Sequence, residues 1–333
     1  MIIVCFYIFR ICPPSLQAYL VKLVINEFKL LFQKSPEECG YRQQDKVFSP
    51  LKLMQTVTSK VNEICQRYLD NSRLALLPPP PSIPLPLTSS YAIKNRRRKM
   101  EDRSVVLHDL HTMFSIKNDS VVNYYAVFDG HAGQEAATYC AAHLHQYLVE
   151  SSYYPLEPEF ALRDAFHTTD KRFSEGDDTK NSGATAVCAL LFDKTLYIAW
   201  AGDSQAALIK SGRGINLTIP HKPERPDEKK RIKDLGGEVV YFGTWRVNGV
   251  INVSRSIEER KHSFYFREQI HSTLSGDCKY KPWVTEEPDL IKVELDGTED
   301  FLIVACDGFW ERATEDIVAS LLYEYVGSGM SKY

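Results

Sequence analysis

Two apolar runs, TAVCALLF (185–192) and TLYIAWAG (195–202), are separated only by Asp193 and Lys194. Each is too short for a helix and rich in β-branched or aromatic residues, so each reads as a buried strand. A two-residue connection joins antiparallel neighbours. It cannot span the crossover of a dozen or more residues that parallel strands require. The chain is thereby steered toward antiparallel sheets with helices packed outside them, and away from a doubly wound parallel sheet. YYAVF (124–128) and FLIVAC (301–306) read as further buried strands. GQEAATYCAAHLHQYLVE (133–150) and PDEKKRIKDLGG (226–237) read as helices, the second closed by glycine.

The N-terminal quarter has a different character. SLQAYLVKLVINEFKLLFQ (15–33) and LKLMQTVTSKVNEICQRYL (51–69) place apolar residues at helical spacing. LLPPPPSIPLPLTSS (76–90) fits neither a helix nor an inner strand, because proline fixes φ and lacks the donor. The expected organisation is a helical extension over 1–75, a proline-rich linker over 76–90 and a larger domain over 91–333. The PxxP spacing within 78–86 suits an SH3-type groove. The apolar start IIVCFYIFRIC is about half the roughly 20 residues that a membrane helix needs and lacks the basic flank of a secretory signal. No membrane association is expected. Lys and Arg number 40 against 43 Asp and Glu, so no basic field marks the chain for nucleic acid. Its eight cysteines are scattered without a C-x-x-C pair, which points to a reducing compartment, cytoplasm or nucleus.

The chemistry sits where strands end. YYAVF runs into Asp129-Gly130-His131, and FLIVAC runs into Asp307-Gly308. A carboxylate at the rim of an apolar strand is costly without a counter-charge, and a following glycine lets backbone approach a bound ion closely. Glu101-Asp102 and Asp203 add acids at similar positions. Oxygen-only donors select Mg²⁺ or Mn²⁺ over zinc or copper. Asn95-Arg96-Arg97-Arg98-Lys99 directly precedes Met-Glu-Asp, which places a guanidinium beside these acids for a bidentate grip on phosphate. Divalent ions and one arginine together suggest phosphoryl chemistry.

These residues resemble the metal-dependent serine/threonine phosphatases of the PP2C, or PPM, type. The matching stretches are RRRKMED (96–102), YAVFDGHAG (125–133), SGATAV (182–187), WAGDSQAAL (200–208), HKPERPDEKKRIKDLGGEV (221–239), WRVNGVINVSRSI (245–257), GDCKYKPWV (276–284) and DGTEDFLIVACDGFWE (296–311). Within the family, the closest likeness is to the calcium/calmodulin-dependent kinase phosphatases, or partner-of-PIX phosphatases. The resemblance implies an α+β fold, a four-layer αββα sandwich of two antiparallel sheets with outer helices. It implies hydrolysis of phosphoserine and phosphothreonine in proteins at a centre of two Mg²⁺ or Mn²⁺ ions. Asp129 would bridge the ions, Glu101 and the Gly130 carbonyl would complete one, and Asp307 would hold the other. Arg97 would grip the phosphate and His131 would protonate the departing alkoxide. Asp203 with Glu311 marks a looser third-ion position, Glu311 standing where the family usually has Asp. Phosphorylated proteins, protein kinases among them, are the implied partners.

Two departures from the family pattern support a rival reading, an inactive phosphatase-like module that binds phosphoproteins or acts as a scaffold. The chain stops at Tyr333 before the C-terminal D-N motif that supplies one more metal ligand, so the domain is expected to be truncated. Eighteen residues, 258–275, also split VSRSI from GDCKYKPWV, as a variant transcript would. A two-metal nuclease would want a basic groove, which the balanced charge does not offer. Cys306 and Arg312 match the C-x5-R spacing of thiol phosphatases, but the intervening DGFWE carries two carboxylates that would repel both phosphate and thiolate. His143 and His145 are two apart on a helix and form no chelate.

Overall fold

The structure is a computed structural model that describes residues 12–70, 73–79, 84–118, 120–175, 182–258 and 281–328. The chain divides into two compact units, one of residues 1–89 with 107–124 and one of 90–106 with 125–333. The apolar start, positions 80–83 of the proline run, residues 259–275 of the splitting segment and 276–280 of GDCKYKPWV lie outside the described residues.

The first unit is built on a helical pair, α1 (Pro14–Lys34) and α2 (Pro50–Asp70), joined through a two-stranded hairpin of β1 (Tyr41–Arg42) and β2 (Val47–Phe48). Helix α1 buries Ala18, Val21 and Val24, and α2 buries Val57, Val61 and Ile64. These three- and four-residue steps keep one face of each helix apolar. A short helix, α3 (Leu110–Phe114), opens on Asp109, whose side chain accepts the Thr112 N–H at 3.0 Å.

The second unit holds two sheets. The larger runs in the order β12 (Asp289–Glu294), β6 (Thr195–Ala201), β5 (Gly183–Phe192), β4 (Val122–His131) and β3 (Arg103–Leu107), with β11 (Ile257–Glu258) also paired to β5. The smaller runs β13 (Glu299–Ala305), β7 (Gln205–Lys210), β8 (Arg213–Asn216). Strands β5 and β6 form the expected hairpin, with Phe192 opposite Thr195 and Asp193 at φ 53°, the left-handed backbone that such tight loops demand. Pairings β12–β6, β13–β7 and β7–β8 are antiparallel as well.

Period-two alternation sorts the side chains into layers. Val187 and Ala189 of β5, Ile198 and Trp200 of β6 and Tyr125 and Val127 of β4 meet Ala206 and Leu208 of β7 and Leu302 and Val304 of β13 in one core between the sheets. Outside the larger sheet, α4 (Glu135–Glu150) packs on β5 and on α5 (Pro158–Ser174). Outside the smaller sheet, α8 (Glu315–Gly327) packs on β8. Helix, sheet, sheet, helix is the four-layer α+β sandwich expected from the sequence. A side lobe formed by α6 (Pro226–Asp234), β9 (Val239–Tyr241) and β10 (Trp245–Val247) packs Ile232, Val247, Ile251, Val253 and Val284 together. Helix α6 ends as the glycine predicted: Gly236, at φ 77°, donates to Lys233 O, and Gly237 donates to Ile232 O.

Asp129-Gly130-His131 continues β4 to its end, and Asp307-Gly308, just past the end of β13, opens a short helix, α7 (Asp307–Trp310). Asp129 is therefore fixed by the strand's alternation, and Asp307 by the first turn of a helix.

The core predicts its own test. Ile198 is fully buried in the inter-sheet layer. Ile198→Ala should lower the unfolding free energy by about 2–5 kcal/mol, read from denaturant titration.

Candidate metal centre

Asp129 follows Tyr125 and Val127 on the face of β4 that looks into the inter-sheet core, and Cys306 follows Leu302 and Val304 at the end of β13. The same alternation that builds the core thus brings both residues to one end of it, where α7 adds Asp307. A carboxylate oxygen from each aspartate and Cys306 Sγ lie within 4.8 Å of one another. The thiol donates to Asp102 Oδ2 at 3.3 Å, so a fourth group joins from the segment before β3. The backbone of Glu101 runs against β4: a Cβ on Gly130 would stand 2.6 Å from Glu101 O. Only glycine admits that approach. At Gly308 the nearest atom to such a Cβ is Cys306 Sγ at 3.8 Å, so the second Asp-Gly carries no comparable constraint.

The electrostatics fit a hard divalent cation. Burial, the charges of Asp102 and Asp307, a hydrogen bond to Asp307 and the charge of Asp203 push the Asp129 carboxyl up to about 9. Like charges confined at low dielectric protonate unless a cation neutralises them. Cys306 is pushed up to about 12 by burial and by Asp102 and Asp129, the reverse of the depressed value a thiol nucleophile needs. That argues against the C-x5-R alternative.

The other sequence-predicted residues distribute unevenly. His131 ends β4 with Nε2 3.4 Å from Glu258 Oε1. Asp203 sits in the β6–β7 connection, almost fully buried, with the Lys222 ammonium against Oδ2. Glu311 caps α7 and, with Asp307, adds negative charge around Lys222. Arg97 is exposed at a turn closed by its N–H to Lys94 O at 3.1 Å, and among the described residues no hydrogen bond or ion pair ties its guanidinium to the acids. His143 is stacked between Tyr139 and Tyr147, and His145 is buried, its ring lowered to about 3 chiefly by that burial. Both are structural.

Behind Asp203 lies an ionic scaffold that the sequence did not disclose. Glu228, 1% exposed, accepts from Arg231 at 2.8 Å and from Arg255 at 2.7 Å, and Arg255 also reaches Asp289 at 3.0 Å. His221 Nδ1 accepts the Gly202 N–H at 3.1 Å, which leaves the proton on Nε2, 3.0 Å from Asp289 Oδ2. The loop that carries Asp203 is thus tied through one imidazole to the start of β12. Only the clustering of His221, Arg225, Glu228 and Arg231 in one short stretch hinted at it.

The protein phosphatase 2C family model matches residues 88–330, and the chain belongs to that family. It is 37% identical over 320 residues to protein phosphatase 1E of Mus musculus, covering 95% of this chain and 40% of that protein. It is 41% identical over 250 residues to protein phosphatase 1F of Homo sapiens, covering 73% of this chain and 51% of that one. The chain thus spans about half the length of these relatives or less, and they bear out the partner-of-PIX likeness read from the sequence. Its fold is similar to that of a solved C. elegans sex determining protein, with a TM-score of 0.68 at 22% identity, over 93% of this chain and 72% of that one.

Two outcomes follow. Asp129→Asn removes a carboxyl that must take up a proton on folding at neutral pH, so it should raise the melting temperature of the metal-free chain by several degrees and abolish any further rise on adding Mn²⁺, read by calorimetry. Glu228 behaves oppositely. Burial acts to raise it, yet hydrogen bonds from Arg255 and Arg231 hold it near 2 against an ordinary 4.5. Its stabilisation is therefore complete above about pH 4.5 and is lost as the pH falls toward 2. Glu228→Gln should cost about 3–5 kcal/mol at pH 6 and flatten the loss of stability between pH 5 and 3, measured by urea titration at each pH.

Proposed function

We propose that this chain hydrolyses phosphoserine and phosphothreonine in proteins, with two Mg²⁺ or Mn²⁺ ions held by Asp129, Asp307, Glu101 and the Gly130 carbonyl. One observation carries the reading: half-buried carboxylates from β4 and α7 converge at one end of the sandwich, with Asp102 joined to them through Cys306, and desolvation together with the neighbouring acids drives Asp129 far above its ordinary value. Bound divalent ions supply Lewis acidity that makes water a nucleophile at neutral pH and offsets charge on the phosphoryl oxygens.

The chain's own residues do the rest. Arg97, on its exposed turn, binds the substrate phosphate. His131 ends β4 beside the aspartates and gives the departing serine or threonine oxygen its proton as the P–O bond breaks. The buried Glu258 faces the ring and restricts its orientation. No phosphoenzyme is needed, in keeping with a Cys306 thiol too weakly acidic to attack. The substrates are phosphorylated proteins, with kinases the favoured class on family likeness, and 78–86 is the docking segment for an SH3-type partner. The scattered cysteines, six of which are free thiols among the described residues, suit a cytoplasmic or nuclear protein. The phosphoprotein-binding module gains nothing from the relatives, both of which bear the name phosphatase.

The test is phosphate release from a phosphothreonine peptide. Mn²⁺ should stimulate it, and chelation or Asp129→Ala should lower it by about 100-fold or more. Undiminished turnover in chelator, or loss only on changing Cys306, overturns the reading.

A further inference from the structure

Asp203 follows strand β6 and is 3% exposed. A carboxylate so buried needs a counter-charge. The chain supplies one itself, since the Lys222 ammonium contacts Asp203 Oδ2. This lysine is no mobile surface group. The His221 N–H donates to Gly202 O at 2.9 Å, the Ser254 N–H donates to His221 O at 3.0 Å, and the Arg225 N–H donates to Lys222 O at 3.0 Å. Main chain on both sides of Lys222 is therefore pinned, and its side chain is 32% exposed. Asp307 and Glu311 add negative charge around the same ammonium.

An ammonium directs three N–H donors at the lone pairs a divalent ion would use. The two cations also repel, and in a partly buried site that repulsion is weakly screened. We propose that Lys222 Nζ is a built-in counter-ion that takes the place of a cation at Asp203, so that the chain excludes a third divalent ion there. The inference rests on the metal-centre reading given above and adds to it a residue that sets how many ions the chain takes up.

The test counts Mn²⁺ bound at saturation by the full chain, using equilibrium dialysis, with circular dichroism to verify folding. Lys222→Met should bind one more Mn²⁺ per chain than the wild type. Adding Asp203→Asn to that variant should return the count to the wild-type level. Asp203→Asn alone should leave the count unchanged, because the position it alters holds Lys222 and no divalent ion. Equal counts for the wild type and folded Lys222→Met, or a lower count for Asp203→Asn alone, overturn the proposal. The single Asp203→Asn variant keeps Lys222, so it decides the matter even if Lys222→Met does not fold. Wild type that takes up no Mn²⁺ at all overturns the metal-centre reading instead, and this proposal with it.

Discussion

Crowding of like charge at the end of an apolar core is the constraint around which the second unit is arranged. A sandwich gains its stability from the layer between its sheets, where Val187, Ile198, Trp200 and Leu208 lose their contact with water. The last residues of β4 and the end of β13 bring Asp129 and Cys306 to the rim, where carboxyls at low dielectric raise one another's proton affinity. The chain meets this cost unevenly. At Asp203 it provides a lysine, whereas among the described residues no cationic side chain is paired with Asp129 or Asp307.

The supporting structure is ionic too, but balanced. Glu228, Arg231, Arg255, Asp289 and His221 come from α6, the segment before β11, the start of β12 and the loop after β8, and each answers another's charge or hydrogen-bonding need. Removing one member would strand the others in a poorly solvated place. Such a network contributes less through net attraction than by permitting few alternative positions for the loop that carries Asp203.

Much of this was legible from local pattern. The hairpin at Asp193-Lys194, the paired N-terminal helices, the glycine stop of α6 and the strand-end acids Asp129 and Asp307 all follow from short-range rules, and these hold where propensity and packing agree. What was not legible depends on distance. Cys306 and Asp102 meet across 204 positions, and Lys222 reaches Asp203 across 19. No periodicity announces either contact. The C-x5-R spacing drew attention to Cys306 but did not disclose its place among the acids. Glu258 was absorbed into a segment read as an insertion, yet the strand pairing of Ile257 and Glu258 with Ala184 and Gly183 sets its side chain opposite His131.

Strand β6 has two partners that differ greatly in how far the chain must travel to reach them. β5 is joined to it through a loop of two residues, whereas β12 must bring Asp289 back beside Trp200. The first pairing closes at once, and the second waits for the whole side lobe to be threaded between. Folding speed should therefore be governed by the return of β12, since distant pairings are slow to find. The equilibrium hardly registers the detour: eighteen extra residues in that excursion add only about 0.2 kcal/mol of closure entropy. Length added there is a matter of assembly time far more than of final stability.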